Sequence, residues 1–394
     1  MDSFGVCDRE NVLNPSGSNS SAYGAPAVKI LDPNIWIHLP DHILYHILSF
    51  LPFWSVLQLL GVSRNWRKYL KSNKFLVNWS KNSPLEVLFF MLADGWSLQP
   101  TAAYCPSLNK WLLVPLSGFS CNKEASHNFH LVTAAGGLLC MEEVEWPNRS
   151  LVVFNPLNKS YRKLPPMLDM RSPYIVGMTV NTDKSGYKIL VAQDGQSLVS
   201  QHYDSISNSW KMNTIFYTKI AMLVGMASIK EFLFCLSFWP LGLIAYNNEE
   251  ASWCDMQVKM PPSVTSPHLI HNNGELFLVG GLEKCCQLTS IKIWKVDLYL
   301  KECIEFEEMP DCLFSSFSET LHEEHFSCMG EAGVICFHGS LTLSMVVYDM
   351  NRNRWWWVPP CPMKSAQPYC LSNPRYSFFN SLGLAIKPCF IVNA

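Results

Sequence analysis

One unit recurs six times along this 394-residue chain: an aromatic or β-branched residue, then usually Asn or Asp, and six positions later usually Trp or Tyr. The copies are Tyr104-Cys105 with Trp111, Phe154-Asn155 with Tyr161, Tyr203-Asp204 with Trp210, Tyr246-Asn247 with Trp253, Val296-Asp297 with Cys303, and Tyr348-Asp349 with Trp355. Successive second positions lie 50, 49, 43, 50 and 52 residues apart, while the offset inside each copy never changes. Such a register belongs to an array of structural repeats.

The chemistry of the unit is that of a hairpin. The Asn or Asp side chain accepts from amides of the following turn, and the two aromatic positions lie on the flanking strands. Upstream lie candidate inner strands at 136–141, 187–191, 275–279 and 333–337. Four strands per unit make a propeller blade, and a lone blade cannot bury both faces, so six stack into a ring. Residues 84–394 are therefore expected to form an all-β, six-bladed propeller. Residues 87–92 and 384–386 are the candidates for the strand that closes it.

The chain before the repeats reads differently. Residues 1–34 are rich in Ser, Asn, Gly and Pro and lack any period, the composition of a disordered tail. Residues 35–80 form the next unit, and from Leu39 to about Leu70 its period is helical. Leu44, Ile47, Leu48 and Leu51 recur at i, i+3, i+4 and i+7, with Pro52 just beyond, and His42, Tyr45, His46 and Ser49 fall away from that stripe. Trp54, Val56, Leu57, Leu59 and Leu60 form a second apolar stretch, and Val62, Trp66, Tyr69 and Leu70 a third. Three short helices are expected. So small a unit buries only part of its apolar surface, and the remainder calls for a partner or the next domain.

The segment Leu39-Pro40-Asp41-His42-Ile43-Leu44-Tyr45-His46-Ile47-Leu48-Ser49-Phe50-Leu51-Pro52, followed by Val62-Ser63-Arg64-Asn65-Trp66, resembles an F-box. Ser63 and Arg64 stand where that family often carries Cys-Lys. With Phe154-Asn155-Pro156 and Leu164-Pro165-Pro166, the chain from about residue 35 to 394 resembles plant F-box/kelch-repeat proteins. Only Gly136-Gly137 and Gly280-Gly281 keep the Gly-Gly pair usual in kelch units, and Cys303 replaces an aromatic.

The resemblance implies a modular substrate receptor of a ubiquitin ligase. The F-box binds a Skp-type adaptor, the adaptor joins a cullin scaffold, and the propeller presents an unknown substrate protein. No catalytic residue and no cofactor are implied. Leu39, Pro40, Ile43, Ile47, Leu51, Pro52, Val62 and Trp66 carry the adaptor contact by their match to the motif; the competing reading is that some of them fill the small helical core. Substrate choice is expected in loops on one face of the ring, at 118–125, 142–149, 283–288 and 362–373.

Two other classes compete. One is an interaction scaffold outside a ligase, from which only the F-box separates the receptor. The other is a propeller enzyme, since some kelch-type propellers resemble copper oxidases and histidines pair here as His127/His130, His268/His271 and His322/His325. Those pairs sit in different repeats without a catalytic or phosphate-cradling motif, so no metal site is expected. His42 and His46, at i and i+4, are read as solvated or adaptor-facing.

Composition trims the remaining possibilities. A formal charge of −2 gives no field to recruit nucleic acid or an anionic membrane, and the basic run Arg64, Arg67, Lys68, Lys71 and Lys74 reads as a solvated helix face. Fifteen scattered cysteines, the adjacent Cys285-Cys286 included, with no secretory signal pattern, read as free thiols of the cytoplasm or nucleus. The longest uncharged apolar stretch, 232–246, is too short for a membrane helix and contains Pro240 and Gly242. Trp355, Trp356 and Trp357 alternate on a strand and are expected to pack between blades.

Overall fold

The computed structural model describes residues 39–84, 86–92, 101–114, 128–145, 148–168, 174–195, 197–213, 215–216, 222–285, 287–321, 325–339, 344–362 and 383–394. The tail read at 1–34 lies outside them. The chain divides into two compact units, one helical and one made chiefly of strands from Glu86 onward.

The helical unit comprises α1 (Asp41–Ser49), α2 (Phe53–Val62), α3 (Arg64–Leu70) and α4 (Asn73–Asn82). Leu51-Pro52 separates the first two, because the residue before a proline is pushed out of the α region. Ser63, extended at φ −155°, caps α3 by accepting the Trp66 amide at 3.1 Å. Arg67 Nε donates to the Leu60 carbonyl at 3.0 Å, satisfying an orphan acceptor at the end of α2.

The three helices read from sequence are followed by this fourth. The apolar residues of α4 are Phe75, Leu76, Val77 and Trp79, and the buried pair Phe75 and Trp79 falls at i and i+4, a helical signal that the three-helix reading left unused. Trp79 Nε1 donates to Leu51 O at 2.9 Å and Asn82 Nδ2 to Ser49 Oγ at 2.8 Å, locking α4 onto α1. Ser49, expected away from the apolar stripe, is therefore buried, because α4 covers it. The core of the unit is Leu48, Phe53, Val56, Leu70, Phe75 and Trp79.

The strands form six four-stranded antiparallel sheets. Blade 1 holds β1 (Leu88–Leu92), β2 (Thr101–Cys105) and β3 (Lys110–Val114); blade 2 holds β4 (Asn128–Ala135), β5 (Leu138–Glu145), β6 (Asn148–Phe154) and β7 (Tyr161–Lys163). Blade 3 is β8 (Ile175–Val180), β9 (Tyr187–Gln193), β10 (Val199–Asp204) and β11 (Ser209–Met212). Blade 4 is β12 (Met222–Ile229), β13 (Phe232–Phe238), β14 (Gly242–Asn247) and β15 (Ser252–Asp255). Blade 5 is β16 (Val264–Asn272), β17 (Glu275–Lys284), β18 (Gln287–Asp297) and β19 (Glu302–Glu308); α5 (Asp311–Ser318) follows it. Blade 6 is β20 (Phe326–Glu331), β21 (Val334–Gly339), β22 (Met345–Asp349) and β23 (Arg354–Trp357), and the last strand is β24 (Gly383–Ile386).

β24 completes blade 1 as its innermost strand, pairing with β1 from Leu88 opposite Ile386 to Met91 opposite Gly383. Both candidate closing stretches are thus used side by side. The innermost strands β24, β4, β8, β12, β16 and β20 each touch the next, and β20 touches β24, so the ring closes. The stretches read as inner strands at 136–141, 187–191, 275–279 and 333–337 supply β5, β9, β17 and β21, one place out from the axis.

Each sequence repeat is the outer hairpin of its blade. Its first and last residues face each other directly, as in Tyr104 with Trp111, Val296 with Cys303, and Tyr348 with Trp355. The four Tyr–Trp pairs hold their ring centroids 4.5 to 5.5 Å apart. Oδ1 of Asn155, Asp204, Asn247, Asp297 and Asp349 accepts the amide two residues on at 2.8 to 2.9 Å. Four residues after the second position, each turn carries one left-handed residue: Asn109, Lys159, Asn208, Ala251, Lys301 or Asn353.

Blades are stitched to one another by tryptophan. Trp111 Nε1 donates to Pro359 O at 2.7 Å and Trp210 Nε1 to Pro165 O at 2.8 Å, each in the preceding blade's exit segment. Trp355 stacks on Tyr348, Trp357 lies 6.3 Å from Phe317 of α5, and Trp356 donates to Tyr104 OH at 2.9 Å in blade 1. The triple tryptophan is inter-blade packing, as its alternation implied.

Past β24 the chain continues onto blade 2. Asn155 Nδ2 donates to Cys389 O at 2.7 Å and Val392 O at 2.9 Å, and Asn158 Nδ2 to Phe390 O and Val392 O. Gly137, at φ +91°, permits this approach, since a Cβ there would stand 2.6 Å from that of Cys389.

Candidate functional site

The eight residues expected to contact an adaptor all remain outside the helical core. Pro40, Ile43, Ile47 and Val62 are exposed, and Leu39, Leu51, Pro52 and Trp66 are half-buried. Ile43 is 41% exposed, Ile47 39% and Val62 65%, large values for apolar side chains on helices that bury Leu48 and Val56 to 6% and 1%. Phe50, at 51%, joins them and was missed in the sequence reading. Its signal in the sequence is its spacing: Ile43, Ile47 and Phe50 fall at i, i+4 and i+7.

Beside this surface Tyr45 and Tyr69 stack with centroids 3.5 Å apart at 13°, and burial pushes the Tyr69 hydroxyl above the ordinary tyrosine range. This stack braces α1 against α3 so that the exposed side chains stay in place. His42 and His46 are exposed, His46 lying edge-on to Phe50 with centroids 5.0 Å apart. Arg64, Arg67, Lys68, Lys71 and Lys74 are all exposed, and the Arg67 guanidinium serves as a helix cap.

In the propeller the strand directions create two unlike rims. One rim carries the turn within each outer hairpin and the turn from innermost to second strand; the outer-hairpin turns are four residues long in five blades and six in blade 2. The opposite rim carries every remaining connection, from the two residues 146–147 to the twenty-five residues 358–382. Of the expected specificity segments, the described parts of 142–149 and 283–288 lie at that loop rim. Segment 118–125, and all of 362–373 beyond residue 362, lie outside the described residues.

At the loop rim of blade 2, Glu142 is 6% exposed and accepts from Arg149 at 3.1 Å and from the Tyr174 hydroxyl. Burial and this carboxylate together raise the Tyr174 hydroxyl far above its usual range, so it stays a donor. The pair ties blade 2 to the start of blade 3 and works as a brace.

The expected histidine pairs do not become chelating sites among the described residues, where no group of three His, Cys, Asp or Glu is placed to hold a metal. His127 and His322 lie outside the described residues. His268 Nδ1 bonds to Ser266 O at 2.7 Å and its ring stacks on Phe326, while His271 Nε2 accepts the Gly274 amide at 3.1 Å. Burial lowers His268 and His338 to about 4, so both are neutral at pH 7. All described cysteines are free thiols; those enclosed in the propeller, such as Cys140 and Cys336, are pushed well above the usual thiol range by burial.

The F-box domain family matches residues 36–78, the helical unit with its apolar surface, and the F-box associated beta propeller domain family matches residues 112–230. The chain has an F-box and an F-box associated propeller. Plant proteins match it over most of its length. An F-box/kelch-repeat protein of Arabidopsis thaliana is 28% identical, covering 84% of each chain. F-box only protein 6 of the same plant is 27% identical over 84% of this chain and 71% of its own, and Protein UNUSUAL FLORAL ORGANS is 24% identical over 84% and 80%.

Proposed function

We propose that this F-box protein is the substrate-recognition subunit of an SKP-cullin-F-box ubiquitin ligase. Its F-box engages a Skp-type adaptor, the adaptor carries it to a cullin scaffold, and its propeller holds a target protein for ubiquitination. The observation that carries the reading is the state of the F-box helices: Ile43, Ile47, Phe50 and Val62 stand out in solvent on a unit whose own core is filled by Leu48, Phe53, Val56, Leu70, Phe75 and Trp79. An exposed apolar patch on a small helical unit is the mark of a surface kept for a partner.

The receptor contributes proximity. Holding a target lysine near a charged ubiquitin carrier raises its effective concentration without a catalytic side chain on this chain. The loop rim is the face we assign to the target, because its connections differ from blade to blade while the turn rim repeats one hairpin design.

The test is co-expression with a Skp-type adaptor and size-exclusion chromatography, comparing wild type with a double Ile43→Asp, Ile47→Asp variant. Wild type is expected to elute as a one-to-one complex, and the folded double variant to lose the adaptor. A wild type that ignores the adaptor, or a double variant that binds undiminished, overturns the proposal and leaves an interaction scaffold.

A further inference from the structure

The six innermost strands enclose an axial channel of about 230 Å³, lined by residues from every blade. Much of its wall is small or apolar: Gly225 and Ala227 line it, with open space beside Gly225, while Gly177 and Gly330 let the packed strands of neighbouring blades come close. Near the turn rim the wall changes character, because His271 of β16 and Glu331 of β20 both line it there. Asn272, fully buried, sets them level: its Oδ1 accepts the Gly333 amide across the blade boundary at 2.5 Å, and Gly330 lies against Ile270.

The two groups are left with complementary free valences. His271 Nε2 is occupied by the Gly274 amide, so the ring proton sits on Nδ1 as a free donor. Glu331 takes part in no ion pair among the described residues; the Ala332 amide and then the field of Lys387, exposed just beyond β24, favour its charged form. Burial raises Glu331 above the usual carboxylate range and lowers His271. A carboxylate withdrawn from water without a close counter-ion is costly, and a cation delivered by a ligand removes that cost.

We propose that the turn-rim end of the channel binds a small organic cation, a primary ammonium held by Glu331 with an apolar body along the glycine- and alanine-lined wall. The neutral His271 ring donates to an acceptor on the same ligand. An anion is disfavoured by the carboxylate, and a long peptide by the narrow, six-sided wall. This site is independent of the F-box and of the ligase reading, so either stands if the other fails.

The test uses matched probes that differ only in charge: 2-phenylethylamine against 2-phenylethanol, and butylamine against 1-butanol, titrated into the full chain by calorimetry and ligand-detected NMR. At least one amine is expected to saturate at one site, about tenfold or more tighter than its alcohol. Glu331→Gln should remove that preference. Gly225→Phe should abolish binding by filling the channel, since a Cβ at Gly225 meets nothing within 4 Å. Thermal unfolding checks that the variants are folded, and if Gly225→Phe is not, Glu331→Gln alone decides. Equal affinity of amine and alcohol, unchanged amine binding by Glu331→Gln, or no saturable amine binding means a channel filled by solvent only and overturns the proposal.

Discussion

The propeller and the F-box treat their large apolar side chains in opposite ways. Tyr104, Tyr203, Tyr246 and Tyr348 of the propeller are 2% exposed or less, with every hydroxyl hydrogen-bonded, whereas the F-box keeps Ile43, Ile47, Phe50 and Val62 in water. Closure explains the first: each blade has two neighbours, so both its faces are covered. Size explains the second, because four short helices cannot enclose all the apolar surface they carry. On the proposed function, stability is concentrated in the ring and association in the helices, and substitutions should separate the two.

The largest expected effect lies in the ring. Tyr348→Ala removes a ring stacked on Trp355 at 4.5 Å and should lower the unfolding free energy by about 3–5 kcal/mol, read from the urea midpoint, with adaptor binding intact where the protein stays folded. Acid comes next. His268 and His338 titrate near 4 in the folded ring and near 6.5 unfolded, so the unfolded chain takes up protons first as pH falls. Stability is complete above pH 6.5 and is lost down to about pH 4, on the order of 3 kcal/mol for each group. Urea midpoints at pH 7, 5.5 and 4.5 check this, and a His338→Phe variant should flatten the slope.

A smaller loss is expected at the clasp of the C-terminal segment. Asn155→Ala deletes the donor to Cys389 O and Val392 O together with the acceptor of its own turn, and should cost about 2–3 kcal/mol. Proteolysis of residues 387–394 should accelerate with it. In the F-box, Ser63→Ala loses the α3 cap and should cost about 1 kcal/mol by thermal unfolding. Ile43→Ser should change stability by less than about 0.5 kcal/mol while weakening the adaptor complex, because an exposed side chain has little core to lose.

The fold was legible where a rule repeats. The fixed offset between Tyr348-Asp349 and Trp355 encodes a direct cross-strand pair plus a capped turn, and six copies of that local chemistry define six blades. The spacing says nothing of which terminal stretch lies innermost, since 87–92 and 384–386 carry similar apolar runs and only the ring's geometry orders them. Helix α4 went unread although Phe75 and Trp79 fall at i and i+4, because the motif that marks the unit ends before it; α5 went unread because its eight residues interrupt an otherwise all-β pattern between blades. The surface proposed for the adaptor was read from a motif, and Phe50, at i+7 from Ile43 and i+3 from Ile47, lies outside that motif although it shares their exposed face. Not legible either was the placement of His271 and Glu331, sixty residues apart, in the wall of one channel, which only the meeting of the innermost strands creates.

Hydrogen exchange of the full chain, with and without a Skp-type adaptor, tests the division of labour most directly. The account predicts slowed exchange in peptides spanning residues 39–66 and unchanged exchange throughout the blades. Protection centred on propeller strands with the helices unaffected, or no protection anywhere, would contradict it.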